Sequence, residues 1–219
     1  MLFRSYMSAL SRHREECSKA IAVLWAGDMV DKGRVDALAP VVKVTKSMCR
    51  NARIIASFGN EEYFDREHMF MSRYNDVIWL EDRHLTVEIP GKRIAIYGTR
   101  GALDEPTSWQ KRHIPSIRLI YKNKVKKLEE NVSKLKREGY FVIVLMHYAP
   151  TYSTLEGEDR SIWKFIGSKR MEEAIRRSKP DLVIHGHAHN SIRHEARIDG
   201  IRVINVALPA RKDITVIRI

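Results

Sequence analysis

Short apolar runs alternate with amphipathic stretches along this chain. Residues 20–26, 53–58, 77–80, 141–146 and 181–184 are apolar through most of their length. Such runs read as strands buried on both faces. Helical patterns separate them. Residues 1–19 carry Leu2, Tyr6 and Leu10 at four-residue spacing, and 35–50, 61–74 and Lys169–Ser178 also read as helices, the last with Ser168 as N-cap. Ile117, Tyr121, Val125, Leu128, Val132 and Leu135 form one face of a further helix. Pro90-Gly91 between 85–89 and 93–97, and Asp199-Gly200 between Glu195–Ile198 and 201–206, predict two hairpins. Residues 214–219 alternate as a closing strand. Buried strands and helices followed by hairpins predict an α/β protein with a mixed sheet, or two sheets faced by helices. A length of 219 residues favours one domain over 1–219.

Composition narrows the class. Hydrophobic residues make up 44%, enough for a sizeable core. No apolar run approaches the ~20 residues of a membrane span, and charge appears too early for a signal-peptide core. Cys17 and Cys49 are the only cysteines. They exclude a disulfide framework and make a reducing cytoplasm the default. One glutamine, Gln110, in a chain that is 30% charged suggests a thermophile, against which stand eight methionines.

The formal net charge is +12, which favours an anionic partner such as nucleic acid or another phosphate compound, or else reflects a general solubility surplus. Ten Lys/Arg stand against three Glu over residues 111–138. This is either a solvated outer face around an ordinary core stripe or a surface that gathers polyanions.

Four of the buried strands end in chemistry. Residues 20–26 lead into Gly27-Asp28, 53–58 into Gly59-Asn60, 141–146 into His147, and 181–184 into His185-Gly186-His187-Ala188-His189. Ligands of open α/β sheets bind beyond the carboxyl ends of strands. Convergence there gathers an Asp, an Asn and histidines, a donor set suited to zinc, manganese or iron. Three His in five residues after a buried strand are hard to place except as ligands. Arg100, following strand 93–97 at the same rim, either neutralises phosphate charge or makes a surface ion pair.

The ordered blocks GDMVDKG, FGNEEY, LMHYAP and HGHAHN resemble the calcineurin-like metallophosphoesterases over about residues 20–190. The run from Gly27 to Asn190, with WLED and RGALDEPTSWQ, is similar to a group of archaeal predicted phosphoesterases. The resemblance implies an α/β/β/α sandwich of two mixed sheets flanked by helices. It implies a phosphoester hydrolase, with a phosphodiester the expected substrate, using two divalent metals (Mn, Fe or Zn) and a metal-activated water. By position, Asp28 is the bridging carboxylate. Asn60, His147 and His187 complete one metal site with it, and His189 binds the other. Asp31 and Glu62 are carboxylates that orient ligands, and His185 lies outside the pattern as a supporting or core residue.

Two departures from the family pattern stand out. No D-x-H block precedes GDMVDKG, so the second metal keeps only Asp28 and His189, and a single bound metal becomes an expectation. His13, the one histidine in the N-terminal stretch, reads as exposed. An additional strand ahead of Met1 is expected to carry the block. The family often has His after the Asn of the second block, where this chain has Glu61. Glu61 acts as a general acid only with its pKa raised by burial or by Glu62. Both departures favour an alternative, a catalytically impaired scaffold of the same fold that binds a protein or nucleic-acid partner.

Overall fold

The computed structural model describes residues 2–219; Met1, the first residue of the expected N-terminal helix, lies outside them. Helices α1 (Leu2–Arg12) and α2 (Arg14–Lys19) lead into β1 (Ala22–Ala26). Then come α3 (Ala39–Met48), β2 (Arg53–Ser57), α4 (Glu67–Arg73) and β3 (Val77–Trp79). The hairpin of β4 (Arg83–Ile89) and β5 (Lys92–Thr99) precedes α5 (Ser108–His113) and α6 (Ile117–Arg137). The chain continues through β6 (Phe141–Met146), α7 (Lys169–Ser178) and β7 (Leu182–His185). It ends with the hairpin β8 (Glu195–Ile198) and β9 (Ile201–Asn205), then α8 (Leu208–Arg211).

The strands form two sheets, in the orders β1-β2-β3 and β4-β5-β6-β7-β9-β8. The larger sheet is mixed, with β4 and β8 antiparallel to their neighbours. The smaller is parallel throughout, where a second mixed sheet was expected. The continuous apolar runs are explained by three cores. Along β6, Ile143 and Leu145 face the core between the sheets, while Val142, Val144 and Met146 face the core under α6 and α7. In β2, Ile55 points between the sheets, and Ile54 and Ala56 point to the core shared with α1, α3 and α4. Every such strand is apolar on both faces because both faces are covered. The layers are helix, sheet, sheet, helix, with the four ligand-bearing strand ends at one rim.

Several local expectations shift. The N-terminal helix breaks at His13, whose φ of −104° and ψ of 31° leave the helical range. Residues 35–50 begin with the 3-10 turn Val35–Leu38, and α3 starts only where Pro40 fits the first turn, a position that needs no N–H. Regular helix after the second block starts at Glu67, because Glu61 and Glu62 spend their carboxylates on the neighbouring loop backbone. Residues 214–219 form no strand; Ile214 and Ile217 pack into the two cores of the smaller sheet and Val216 is exposed. Asp199 and Gly200 both adopt positive φ, as a tight hairpin turn requires.

Cys17 and Cys49 are paired as a disulfide, which corrects the reading of two separate thiols: α2 and the end of α3 bring their Cα atoms to 4.5 Å. The basic stretch 111–138 is laced with ion pairs. Lys124 and Lys127 meet Asp82, Lys136 meets Asp181, Lys111 and Arg118 meet Glu105, and Lys126 and Lys134 meet carboxylates one turn on. Buried Lys124, aliphatic through most of its length, also pairs with Glu81.

Candidate metal centre

The site begins with two close backbone approaches. Gly27 follows β1 with φ +80°, and a Cβ on it would stand 2.6 Å from both the Gly59 backbone and His147 Nδ1. A Cβ on Gly59 would fall onto the Asp28 carboxylate. Glycine at both places lets the β1, β2 and β6 ends close on one another. Asp28 then takes φ +55° and His187 φ +67°, left-handed conformations that turn both side chains to the same rim.

Glu62, fully buried, holds this turn together. Its carboxylate accepts the N–H groups of Asp28 (2.8 Å), Met29 (2.7 Å), Val30 (3.3 Å) and Gly59 (2.7 Å). Four backbone dipoles converge on one anion. Burial and the adjacent Asp28 charge push the Glu62 carboxyl up from its ordinary range, and these N–H groups oppose them. Asp31, expected like Glu62 to orient ligands, is exposed.

His147 is oriented by its backbone partner. Its Nδ1 donates to the Ala26 carbonyl at 2.8 Å, which leaves Nε2 facing Asn60 Oδ1 at 2.9 Å and Asp28 Oδ2 at 3.3 Å. Asn60 is held with its oxygen inward because Nδ2 donates to Glu61. Ligand atoms of Asp28, His147 and His187 lie within 4.8 Å of one another. Two oxygens and a ring nitrogen thus point at one spot, and only a cation or a proton reconciles them. That donor set fits a divalent metal. Burial would raise the Asp28 pKa, but His147 overrides it and draws the carboxyl down to about 2. Burial would likewise lower His147, and the Asp28 charge raises it above the ordinary histidine range. His187 is driven well below that range by burial and then by His147, so it stays neutral and able to ligate.

The remaining candidates are placed differently. His189 is exposed and its ring lies 6.4 Å from that of His187, outside the tight group. His185 is buried against Thr154 and the Gly186 carbonyl. His13 faces Asp213, far along the chain. Glu61 braces the loop: it accepts from the Lys32 N–H and Asn60 Nδ2, while its own N–H donates to Asp28 Oδ1 at 2.8 Å. Arg100 is a correction. It follows β5 at the same rim but is fully buried, not in a surface pair. Its Nη2 donates to the Glu62 carbonyl and to Glu67, both at 2.7 Å, and its guanidinium lies over the Phe64 ring at 3.7 Å. Burial pushes Glu67 up to about 7 despite that cation. Arg100 therefore supports the Glu62 backbone, with its guanidinium held by the Glu62 carbonyl and Glu67.

Sequence reasoning missed Tyr148, whose ring stands edge-on to His187 at 5.0 Å and whose hydroxyl is held by Gln110. Its signal was adjacency to His147 and the presence of a single glutamine.

Fold and site define a metallophosphoesterase sandwich. The sequence profile described as calcineurin-like phosphoesterase matches residues 3–191, and the chain belongs to that family. No curated protein sequence matches the chain. Among solved structures it is similar to the phosphopantetheinyl hydrolase PptH from Mycobacterium tuberculosis, with TM-score 0.61, 15% identity, and coverage of 86% of this chain and 79% of that one. It is similar to the sulfate thiohydrolase SoxB of Thermus thermophilus, with TM-score 0.59, 14% identity, and coverage of 92% and 38%. It is also similar to a 5'-nucleotidase precursor from Thermus thermophilus, with TM-score 0.54, 15% identity, and coverage of 93% and 42%. The chain thus spans about two-fifths of the length of the last two. At these identities the likeness is one of fold. Among the described residues no helix is long and apolar enough to cross a membrane.

Proposed function

We propose that this protein hydrolyses a phosphodiester at a divalent-metal site formed by Asp28, Asn60, His147 and His187. The observation that carries the reading is the convergence of Asp28 Oδ2, Asn60 Oδ1 and His147 Nε2, with His187 beside them. Family membership gives the same class of chemistry. A bound cation supplies Lewis acidity, neutralising phosphate oxygens and making water a better nucleophile.

The chain's own residues set the rest. Asp28 brings the negative charge and Asn60 a neutral oxygen held by Glu61. His147 and His187 bring ring nitrogens, the first aimed by the Ala26 carbonyl. His189 and Asp28 are the residues left for a second metal, which makes the first site the tighter one. Glu61 takes two hydrogen bonds on its carboxylate, an arrangement suited to an acceptor and not to a proton donor. A diester with a good leaving group needs little protonation on departure. That is the reason for preferring a diester over an alkyl monoester.

The test is metal analysis with parallel hydrolysis of a chromogenic diester and monoester in saturating manganese. One tight metal and faster diester turnover are expected, and His187→Ala removes both. Retention of metal by His187→Ala with its loss from His189→Ala would reverse the ligand assignment. No metal uptake at all would favour a metal-free scaffold of this fold.

A further inference from the structure

Linked to the metal centre through the Asn60 loop and through Tyr148 is a group of rings that the hydrolytic chemistry does not use. Trp109 is 55% exposed. Other exposed apolar side chains, such as Leu119 and Ile192, have no ring stacked on them, and single exposed residues need no explanation. Trp109 is different because it is fixed in an array. The His113 ring stacks on it at 4.5 Å and 22°, held there by a 2.8 Å contact between His113 Nδ1 and the Trp109 carbonyl. On another side the half-buried Tyr63 ring stands 6.3 Å away, 32° from parallel.

Both ends of the array are tied to the metal ligands. Tyr63 follows Asn60 by three residues and seats on Gly33, where a Cβ would stand 2.8 Å from its ring. The Gly33 N–H donates to the Glu61 carbonyl. Trp109 precedes Gln110, which completes the Thr107 capping box of α5 and holds the Tyr148 hydroxyl at 3.2 Å. The Tyr148 ring in turn faces that of His187. Tyr63 is therefore positioned by the loop that bears Asn60, and Trp109 by the helix whose Gln110 holds Tyr148, the ring that faces His187. Arg66, exposed, forms no ion pair among the described residues and lies 5.9 Å from the Tyr63 ring, adding positive charge.

We propose that Trp109, with Tyr63 and His113, is a stacking platform for the nucleobase of a nucleotide-containing ester whose phosphate lies at the metal centre. This rests on the hydrolase reading above and specifies its substrate class. Every base offers a flat π face, so exposed aromatic side chains bind bases with little regard to identity. A cation near the rings and a metal nearby suit a ligand that carries ring and phosphate together.

Calorimetric titration of the full chain in manganese compares adenosine 5'-monophosphate with ribose 5-phosphate. The nucleotide is expected to bind more tightly by a factor of roughly 5 to 150. Trp109→Ala reduces the preference to within about twofold and Trp109→Phe restores it, with Tyr63→Leu as a second variant and circular dichroism as the check of folding. Equal affinity for the two ligands in the wild type, or an undiminished preference in Trp109→Ala, overturns the platform. A turnover arm uses two diesters with one leaving group, thymidine 5'-(4-nitrophenyl phosphate) and methyl 4-nitrophenyl phosphate. Trp109→Ala raises KM for the first without changing kcat and leaves the second unaltered; equal losses on both overturn the proposal. Base preference in binding without hydrolysis of either diester sinks the hydrolase reading and keeps the platform. Hydrolysis without base preference does the reverse.

Discussion

Glu62 organises the site from one position. Its carboxylate gathers four N–H groups from two strand ends, so the loop bearing Asp28 and the loop bearing Asn60 share one anchor. Glu62→Gln keeps the shape but replaces one acceptor oxygen with a donor that faces the N–H groups. Each buried N–H left without a partner costs about 1–3 kcal/mol. Groups that orient metal ligands typically contribute roughly 10–100-fold in affinity. The expected outcome is metal binding weakened by a factor in that range, with a lowered Tm, read by metal titration and thermal melting. Unchanged affinity would assign Glu62 to loop folding alone. Arg100, buried between the Glu62 carbonyl, Glu67 and Phe64, extends the same support one layer deeper.

At the scale of elements, the ends of β1 and β2 touch closely enough that a side chain at Gly59 has no room. Gly59→Ala places a Cβ on the Asp28 carboxylate. Overpacking of this kind costs about 1–3 kcal/mol. Asp28 is the group that must move, so both stability and metal affinity are expected to fall. A drop in Tm with full metal affinity would show that Asp28 can yield without leaving the site. Helix α6 behaves otherwise. Leu128, Val132 and Leu135 on its apolar face are fully buried, and its cations are largely held by Glu105, by Glu81 and Asp82 between β3 and β4, by Asp181 ahead of β7 and by carboxylates one turn on. Most of the positive charge on this stretch is thus already partnered.

Across the whole molecule, the candidate ligands come from both sheets: Asp28 and Asn60 follow β1 and β2, while His147 and His187 follow β6 and β7. A metal held by all four would tie the sheets together across the inter-sheet core. A ligand that binds only the folded state stabilises it by about 2.7 kcal/mol at a hundred times its Kd. For a chain of this length that corresponds to a rise in Tm of roughly 5–10 °C. Thermal melting in manganese and in chelator is expected to show this shift in the wild type and to lose it in His187→Ala. A shift of the same size in that variant would locate the stabilising metal elsewhere.

The sequence by itself determined which strands are buried, because doubly covered strands must be apolar on both faces. It also placed Asp28, Asn60, His147 and His187 at their ends, because polar ligands interrupt those runs abruptly, and the family blocks sit at the same interruptions. What only the tertiary structure decided are contacts between residues distant in the chain. Arg100 is buried because Glu67 and Phe64 meet it from another layer. Cys17 meets Cys49, 32 positions on. Trp109 meets Tyr63 across two loops. No local pattern encodes such pairs: each half is ordinary alone, and the parallel pairing of β1 with β2 and of β5 with β6 is what brings the segments that flank these strands together.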